Sequence, residues 1–251
     1  MSFELDATDL SGQSIVAYET LYRDGQPVAE HEDLNDENQT VSVPQIATKA
    51  SVAGKKVSAS TGEATIDDLV TCSNLVPGEH YQLHAYLVDA ESGDMVLENE
   101  EAVTATQDFV AEAPNETHQM GLSLNGANVS GKTLVVMEQL SQNGRIVAAH
   151  EDPTSQDQSV SFASIGTTLV DAADSDHHIT SHDEIQLIDT VSYEGLESGT
   201  PYTLKGHLVD GQTGNELVQE DGSPLIASIE FVADQPSGTV DVTFSLPAQA
   251  L

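Results

Sequence analysis

The sequence predicts an all-β protein built from tandem antiparallel β-sandwich domains of immunoglobulin-like architecture. Val, Ile and Thr are abundant and fall in short runs, which favours β-strands over disorder. Apolar and polar residues alternate within the runs, as at Leu134, Val136 and Leu140, and this period of two is typical of strands with one buried face. Strands at intervals of about ten residues, separated by Gly, Pro, Asn and Asp, are typical of such sandwiches.

Two short segments predict hairpin turns between these strands. SQNGR at 141–145 and RDG at 23–25 contain Asn-Gly and Asp-Gly, which tolerate the positive φ that a tight turn requires. The sequence predicts no helix of ordinary length.

The 251 residues contain an internal repeat of about 119 residues. GQSIVAYETL at 12–21 matches GKTLVVMEQL at 131–140, and HEDLNDENQTVS at 31–42 matches HEDPTSQDQSVS at 150–161. We therefore expect each unit of about 119 residues to have the same fold.

A boundary at the Ile-X-Thr segment that follows each of these matches divides the chain into three parts. Residues 1–43 are the C-terminal part of a split unit, residues 44–162 are a complete unit, and residues 163–251 are the N-terminal part of a split unit. The two partial units are complementary, since together they contain every part of a complete one.

Charge and composition exclude several classes of partner. The chain has 42 Asp and Glu against 7 Lys and Arg, a formal net charge of −35, so we expect it to repel nucleic acid and anionic lipid. No apolar run approaches the roughly 18 residues that a membrane span needs, and the start MSFELDATDL lacks the features of a secretory signal. We therefore expect a soluble segment with no nucleic-acid or membrane partner. Cys72 is the single cysteine, so an intramolecular disulfide is impossible.

Two glutamates fall on the predicted inner face of their strands. Period two places Glu138 on the same face as Leu134, Val136 and Leu140, and it places Glu19 on the equivalent face of the first copy. An unpaired buried carboxylate is costly, so we expect an inward Glu to be protonated or hydrogen-bonded. The alternative is a strand end at which the Glu reaches solvent.

A histidine and a glutamine recur eight residues apart in both copies, as His150 with Gln158 and His31 with Gln39. The acidic loops between them diverge and keep little besides the triplet HED. Adjacent residues of an extended chain point to opposite faces, which argues against a single metal site formed by this triplet. A solvated acidic loop followed by a strand is the alternative interpretation.

The segments GKTLVVMEQL, HEDPTSQDQSVSF, IGTTLV, IDTVSYEGL and GTVDVTFSL together resemble the tandem VaFE-type repeats of Gram-positive surface adhesins, whose members include the Thr-Gln (TQ) ester-bond domains. The resemblance covers essentially the whole chain. It implies an immunoglobulin-like stalk module in which a Thr of the first strand is joined covalently to a Gln of the last, with a His and acidic residues assisting.

The resemblance implies roles for ten residues. In the complete unit, the nucleophile is Thr48, the electrophile is Gln158, the base is His150, and the carboxyl pair is Asp68 and Glu138. The same positions of the split unit are Thr167, Asp189, Glu19, His31 and Gln39.

Three of these assignments have a competitor. Asp67 competes with Asp68, because residues 66–71 of the complete unit read IDDLVT where residues 188–193 of the split unit read IDTVSY. Thr168 directly follows Thr167, and only the repeat selects the first of the two. Glu4 is a competing second carboxyl, although Ser stands at its counterparts in the other copies.

The implied function is a structural stalk module that cross-links itself in a single turnover and is not an enzyme. The His takes the Thr proton, the carboxyl pair shares a proton and donates a hydrogen bond to the oxyanion, and ammonia leaves. The ester would close a loop of about 110 residues and give mechanical and proteolytic resistance. The resemblance implies no cofactor or metal, and it implies an extracellular, cell-surface location with cell-wall anchoring in the full-length protein.

The expected partners are neighbouring repeats of the same chain and other copies of the chain joined head to tail. Whether 1–43 and 163–251 complement each other within a chain or between chains stays open, as does whether these ends are simply incomplete. The alternative function is an uncrosslinked ligand-binding or carbohydrate-binding adhesin domain.

A further acidic run lies in the second copy. Its carboxylates would suit calcium and its histidines a transition metal. The corresponding stretch of the complete unit, SVAGKKVSAS at 51–60, has no acidic residue or histidine, which favours a solvated loop. The run comprises Asp171, Asp174 and Asp176, followed by His177, His178 and His182.

Overall fold

The structure is a computed structural model, and it describes residues 10–179, 184–219 and 221–247. Within these ranges there is no α-helix, and the chain forms strands and two 3-10 turns, Glu37–Gln39 and Gly126–Val129. The prediction of an all-β fold is confirmed. No helix in the described ranges is long and apolar enough to cross a membrane.

The strands in chain order are β1 (Ser14–Val16), β2 (Glu19–Arg23), β3 (Gln26–His31), β4 (Thr40–Ser42), β5 (Gln45–Ser51), β6 (Val57–Ala59), β7 (Glu63–Ser73), β8 (His80–Asp89), β9 (Leu97–Glu98), β10 (Glu101–Ala102), β11 (Thr104–Val110), β12 (Glu116–Asn125), β13 (Thr133–Gln142), β14 (Arg145–His150), β15 (Ser159–Asp171), β16 (Glu184–Glu194), β17 (Pro201–His207), β18 (Ile226–Val232) and β19 (Gly238–Pro247).

The chain divides into two compact units. The first contains the residues up to Lys55 together with 64–124 and 134–160, and the second contains 56–63, 125–133 and the residues from Ser161 onward. The repeat boundaries at 43/44 and 162/163 stay a prediction.

Two antiparallel sheets of the first unit have apolar faces that form its core, and the pairs β1-β4, β2-β3 and β9-β10 form small separate sheets. One sheet has the order β12-β7-β5, and the other contains β11, β8, β13 and β14. Alternate residues of β7 and β8 are buried, as the period of two predicts. The core side chains with almost no exposed surface include Ile66, Val70, Leu83, Leu87, Leu122, Leu124, Leu134 and Leu140.

Both predicted hairpin turns are present. Asn143 and Gly144, with φ of 52° and 73°, connect β13 to β14. Asp24 and Gly25, with φ of 50° and 79°, connect β2 to β3. Positive φ at both central residues is the conformation for which Asn-Gly and Asp-Gly are selected.

The second unit has its own core. The strands β15, β16 and β19 pair in that order, and β17 pairs with β18. The buried cluster of this unit comprises Ile185, Leu187, Val191, Leu225, Val242, Phe244 and Leu246.

The apolar residues of the segment 10–43 are far more exposed than their equivalents in the complete unit. Leu21 is 63% exposed whereas its equivalent Leu140 is fully buried, and Val41 is 66% exposed whereas Val160 is 1% exposed. The prediction that Glu19 faces a buried interior is wrong, because this residue is exposed. Glu19 and Leu21 are both exposed on the face that was predicted to be buried, and among the described residues no second sheet covers it.

Candidate functional site

Five side chains of the complete unit converge inside the first compact unit. Thr48 lies on β5, Asp68 on β7, Glu138 on β13, His150 at the end of β14, and Gln158 immediately before β15. The side chains of Asp68, Glu138 and Gln158 are fully buried, and Thr48 is 7% exposed. Such a cluster of polar groups in an apolar interior is costly unless its members hydrogen-bond to one another.

The register of β5 against β7 sets Thr48 beside Asp68. Thr48 is directly opposite Val70, and Ala50 is directly opposite Asp68. Opposite residues of an antiparallel pair point to the same face, and so do residues two apart on one strand. Thr48 and Asp68 therefore share the inner face of this sheet.

The Thr48 hydroxyl is in hydrogen-bond contact with the His150 ring. The distance from Thr48 Oγ1 to His150 Nδ1 is 3.2 Å. His150 is directly opposite Glu138 in the β13–β14 ladder. A neutral imidazole with its proton on Nε2 accepts at Nδ1, so the contact allows the Thr hydroxyl to donate to the ring.

The Gln158 side chain is held by its nitrogen. Nε2 donates to the backbone oxygen of Val136 at 2.6 Å and to that of His150 at 3.4 Å, and it also donates to Glu138 Oε2. Carbonyl oxygens only accept, so these contacts identify this end of the carboxamide as the NH2 group. The other end, Oε1, is buried with no hydrogen-bond partner among the described residues.

Glu138 and Asp68 form a carboxyl pair. Burial raises the pKa of Glu138 far above its ordinary value, and the negative charge of the neighbouring Asp68 raises it further. The hydrogen bond from Gln158 opposes this shift of the Glu138 pKa. Two carboxylates in an apolar interior cannot both ionise at low cost, so Glu138 holds a proton at neutral pH.

The structure separates two of the competing assignments. Asp68 is in the cluster, whereas Asp67 accepts a hydrogen bond from Gln119 Nε2 at 3.3 Å on the other face of β7. Thr167 shares the face of Asp189, because Leu169 is opposite Asp189; Thr168 points to the other face. Glu4 lies outside the described residues.

The segment 10–43 reproduces the His-Gln half of the site. The backbone N–H of Ala17 donates to Gln39 O at 3.1 Å, which repeats the 3.1 Å bond from Val136 to Gln158. His31 is opposite Glu19, as His150 is opposite Glu138. The His31 ring lies 2.8 Å from the Asp36 carboxylate. Gln39 Oε1 is buried, with no hydrogen-bond partner within the described ranges.

The second unit reproduces the Thr-Asp half. Leu169 and Asp189 are opposite each other in β15 and β16, as Ala50 and Asp68 are in β5 and β7. Thr167 is exposed, whereas Thr48 is buried. Burial raises the pKa of Asp189, a backbone hydrogen bond to Thr168 opposes the shift, and Asp189 Oδ1 is buried without a hydrogen-bond partner among the described residues.

The acidic run of the second copy bonds to its own loop. Asp171 Oδ1 accepts from Ala173 N at 3.0 Å, and Asp176 Oδ1 accepts from His178 N at 2.6 Å. The described ranges contain no group of three or more His, Cys, Asp or Glu arranged to hold a metal ion. His182 lies outside the described residues.

Cys72 packs in the core. It is fully buried, and burial together with the charge of Glu116 raises the pKa of its thiol to about 12. The thiol therefore stays protonated and unreactive at neutral pH.

Sequence reasoning missed a second set of polar contacts next to His150. Glu151 Oε1 accepts from Tyr86 OH at 2.8 Å and from Gln139 Nε2 at 2.6 Å. The recurrence of HED in both copies is the signal that could have drawn attention to Glu151.

Comparisons with known proteins give one family and several remote structural similarities. A family model described as "T-Q ester bond containing domain" matches residues 1–43, 44–162 and 163–251. A bacterial adhesin from Mobiluncus mulieris containing intramolecular disulfide, isopeptide and ester bond cross-links is similar at 16% identity in two crystal forms. One match covers 81% of this chain and 99% of that chain with a TM-score of 0.43, and the other covers 80% and 98% with a TM-score of 0.44.

A putative β-galactosidase from Bacteroides fragilis is similar at 11% identity and a TM-score of 0.34, over 44% of this chain and 17% of that chain. A comparison with curated proteins found no match.

Proposed function

The chain belongs to the family of T-Q ester bond containing domains, and we propose that Thr48 and Gln158 become joined by an ester bond between the Thr oxygen and the Gln carbonyl carbon. The observation that carries the proposal is that both side chains contact His150, one at its ring and the other at its carbonyl. Thr48 Oγ1 meets the His150 ring, and Gln158 Nε2 meets the His150 carbonyl and Glu138.

The first step is attack by the hydroxyl. His150 Nδ1 takes the proton of Thr48 Oγ1 as the oxygen adds to the side-chain carbonyl carbon of Gln158. Folding supplies much of the barrier reduction, because the strands hold the two groups in one buried cluster at high effective concentration.

The second step is loss of ammonia. Glu138 touches Gln158 Nε2 and carries a proton at neutral pH, so it is placed to protonate the nitrogen as the bond from carbon to nitrogen breaks. The contact is with the nitrogen, whereas the sequence led us to expect a hydrogen bond from the carboxyl pair to the oxyanion. The proton taken by His150 then restores Glu138, its cross-strand neighbour, so the overall change is ester formation and release of one ammonia.

The bond suits a structural module of a surface adhesin, and we place the chain in that role outside the cell. The ester would close a loop of about 110 residues between Thr48 on β5 and Gln158 just before β15, in a chain whose one cysteine excludes an intramolecular disulfide. Thr48 and Gln158 react only with each other. The reaction therefore occurs once, and the protein does not act as an enzyme.

We also propose that the two half-sites complete each other between copies of the chain, head to tail. The Thr-Asp half carries an exposed Thr167 and an Asp189 oxygen that has no hydrogen-bond partner in the part of the chain that the structure describes, and the His-Gln half carries exposed apolar residues. In the complete unit the equivalent Asp68 is paired with Glu138. Association of the halves would bury both faces and supply Asp189 with its missing carboxyl partner, Glu19.

The test is intact mass of the whole chain, carried out in a Thr167→Ala background so that copies do not join. We expect the mass to fall short of the calculated value by one ammonia, and we expect Thr48→Ala and Gln158→Ala to restore the full value. Gln156→Ala, which changes an exposed glutamine two residues away, should still lose the ammonia. A full calculated mass for the background chain would overturn the proposal.

A further inference from the structure

The carboxylate of Glu151 ties together two strands on the outer face of the sheet that carries Glu138. It accepts from Tyr86 OH of β8 at 2.8 Å and from Gln139 Nε2 of β13 at 2.6 Å, both at Oε1. Burial, followed by the bond to Glu151, raises the pKa of Tyr86 to about 12, so its hydroxyl remains a donor across the physiological range. Tyr86, Gln139 and Glu151 together form an outer network.

The outer network acts at the point where the ladder of β13 and β14 ends. The pair of Glu138 with His150 is the last one in that ladder, and β14 ends at His150. Glu151 is the first residue beyond it, so backbone pairing with β13 no longer fixes the chain there. The two hydrogen bonds of the Glu151 side chain fix the position of the chain there instead.

The peptide group between His150 and Glu151 belongs to the reacting site. Its oxygen accepts from Gln158 Nε2 at 3.4 Å, and the ring of His150 contacts Thr48. Adjacent residues of an extended chain point to opposite faces, so the ring points inward while the Glu151 side chain points outward. The hydrogen bonds that hold the Glu151 side chain therefore also fix the His150 ring, which contacts Thr48, and the His150 carbonyl, which contacts Gln158.

We infer that Glu151 is a positioning residue for ester formation, held by Tyr86 and Gln139 so that His150 stays in contact with Thr48. This inference rests on the proposed ester bond. The role requires an acceptor oxygen at position 151 and not a negative charge, because Glu151 touches neither Thr48 nor Gln158.

Residues 10–43 repeat this part of the site without the glutamine donor. Glu32 is the equivalent of Glu151, but Thr20 stands where Gln139 stands. There the His31 ring is 2.8 Å from Asp36 of its own loop. In this segment, which also lacks the counterpart of Thr48, the histidine contacts its own loop.

The experiment measures the rate of ester formation in the whole chain. Protein carrying Thr167→Ala is made by a short pulse of cell-free synthesis and sampled into denaturant, and ammonia loss is followed by intact mass. We expect Tyr86→Phe and Glu151→Ala to slow the loss about 10-fold, since a small misplacement of a reacting group has effects of this size or larger. The final yield should be unchanged.

Two variants separate positioning from other effects. Glu151→Gln keeps an acceptor oxygen and should restore a rate near that of the parent. Tyr81→Phe removes a different hydrogen bond of the same strand, from Val76 N at 3.1 Å, and should also leave the rate unchanged. Equal rates for Glu151→Ala, Tyr86→Phe and the parent would overturn the inference, and so would a Glu151→Gln variant as slow as Glu151→Ala.

A second readout keeps the inference testable if the parent chain loses no ammonia, a result that defeats the proposed function alone. The nuclear Overhauser effect between the His150 ring and the Thr48 methyl group reports the contact directly. It should be present in the parent and in Glu151→Gln, and weakened in Tyr86→Phe and Glu151→Ala. An unchanged effect in all four chains would refute the positioning role.

Discussion

Thr48 Oγ1 lies 3.2 Å from His150 Nδ1, although 102 residues separate them along the chain. The two residues meet because β5 and β14 belong to the two sheets that enclose one core. The contact is a property of the folded unit, so the reaction that we propose can only follow folding.

His150→Ala should slow ester formation in the complete unit by a factor of about 10²–10⁴, the usual contribution of a general base. Time-resolved intact mass of newly made protein provides the measurement. His80→Ala is the matched control and should leave the rate unchanged, because His80 is an exposed residue at the start of β8. Equal rates for His150→Ala and the parent would mean that the ring takes no proton.

Thr48→Ala should lower the stability of the complete unit by roughly 4 to 5 kcal/mol, which is the expected effect of opening a loop of about 110 residues. Urea unfolding followed by circular dichroism measures this difference. Thr48→Ser keeps the hydroxyl, so it should form the ester and stay close to the parent. If Thr48→Ala and Thr48→Ser unfold at the same urea concentration, the bond contributes nothing.

The stability of the uncrosslinked unit should fall as the pH rises. The pKa of Glu138 is raised in the folded state, chiefly by burial and next by Asp68, so the folded chain binds more protons than the unfolded one above the ordinary pKa of Glu. The stabilisation is fully present below that ordinary value and is lost as the pH rises toward the raised pKa, with a slope of at most about 1.4 kcal/mol per pH unit.

Urea unfolding of Thr48→Ala, between the ordinary pKa of Glu and the raised pKa of Glu138, measures how steeply the free energy of unfolding falls with pH. Adding Glu138→Gln should remove this slope, whereas adding Glu101→Gln, which changes an exposed glutamate, should leave it in place. A slope that is the same with and without Glu138→Gln would show that another group is responsible.

Asp68→Asn should reduce the yield of the ester, because the negative charge of Asp68 helps keep a proton on Glu138. Intact mass after equal folding times gives the yield. Asp67→Asn provides the comparison, since Asp67 bonds to Gln119 outside the cluster. A loss of yield in Asp67→Asn but not in Asp68→Asn would reverse the assignment.

Concentrated wild-type chain should give covalent ladders on denaturing gels if the half-sites join between copies. Thr167→Ala and Gln39→Ala should each abolish the ladders without changing the bond in the complete unit. Thr168→Ala should leave them intact, because Thr168 points away from Asp189. A wild-type chain that remains a monomer at every concentration would rule out head-to-tail joining.

Local patterns predicted the fold because strands and tight turns are local. Both hairpins are where Asn143-Gly144 and Asp24-Gly25 predict them. The period of two also predicted the inward side chain of Glu138 correctly. The same pattern was wrong for Glu19, because burial depends on whether a second sheet covers the strand, and the alternation within one strand contains no information about that.

The fine geometry of the site depends on register, which the sequence does not specify. Asp67 and Asp68 differ by one position, and one position reverses the face of a strand. The pairing of Ala50 with Asp68 decides between them. The donors to Glu151 come from strands far away in the chain, so no local pattern could assign them.

The strand β15 runs from Ser159 to Asp171, so it begins directly after Gln158 and contains Thr167, nine residues further on. The same nine residues separate Gln39 from Thr48. With every ester formed in a series of such repeats, a pull on the ends would lengthen only the nine-residue segment between one Gln and the next Thr. At 3.3 Å per residue its contour length is about 30 Å, against about 390 Å for the full 119 residues. More than nine-tenths of each repeat would then be shielded from extension.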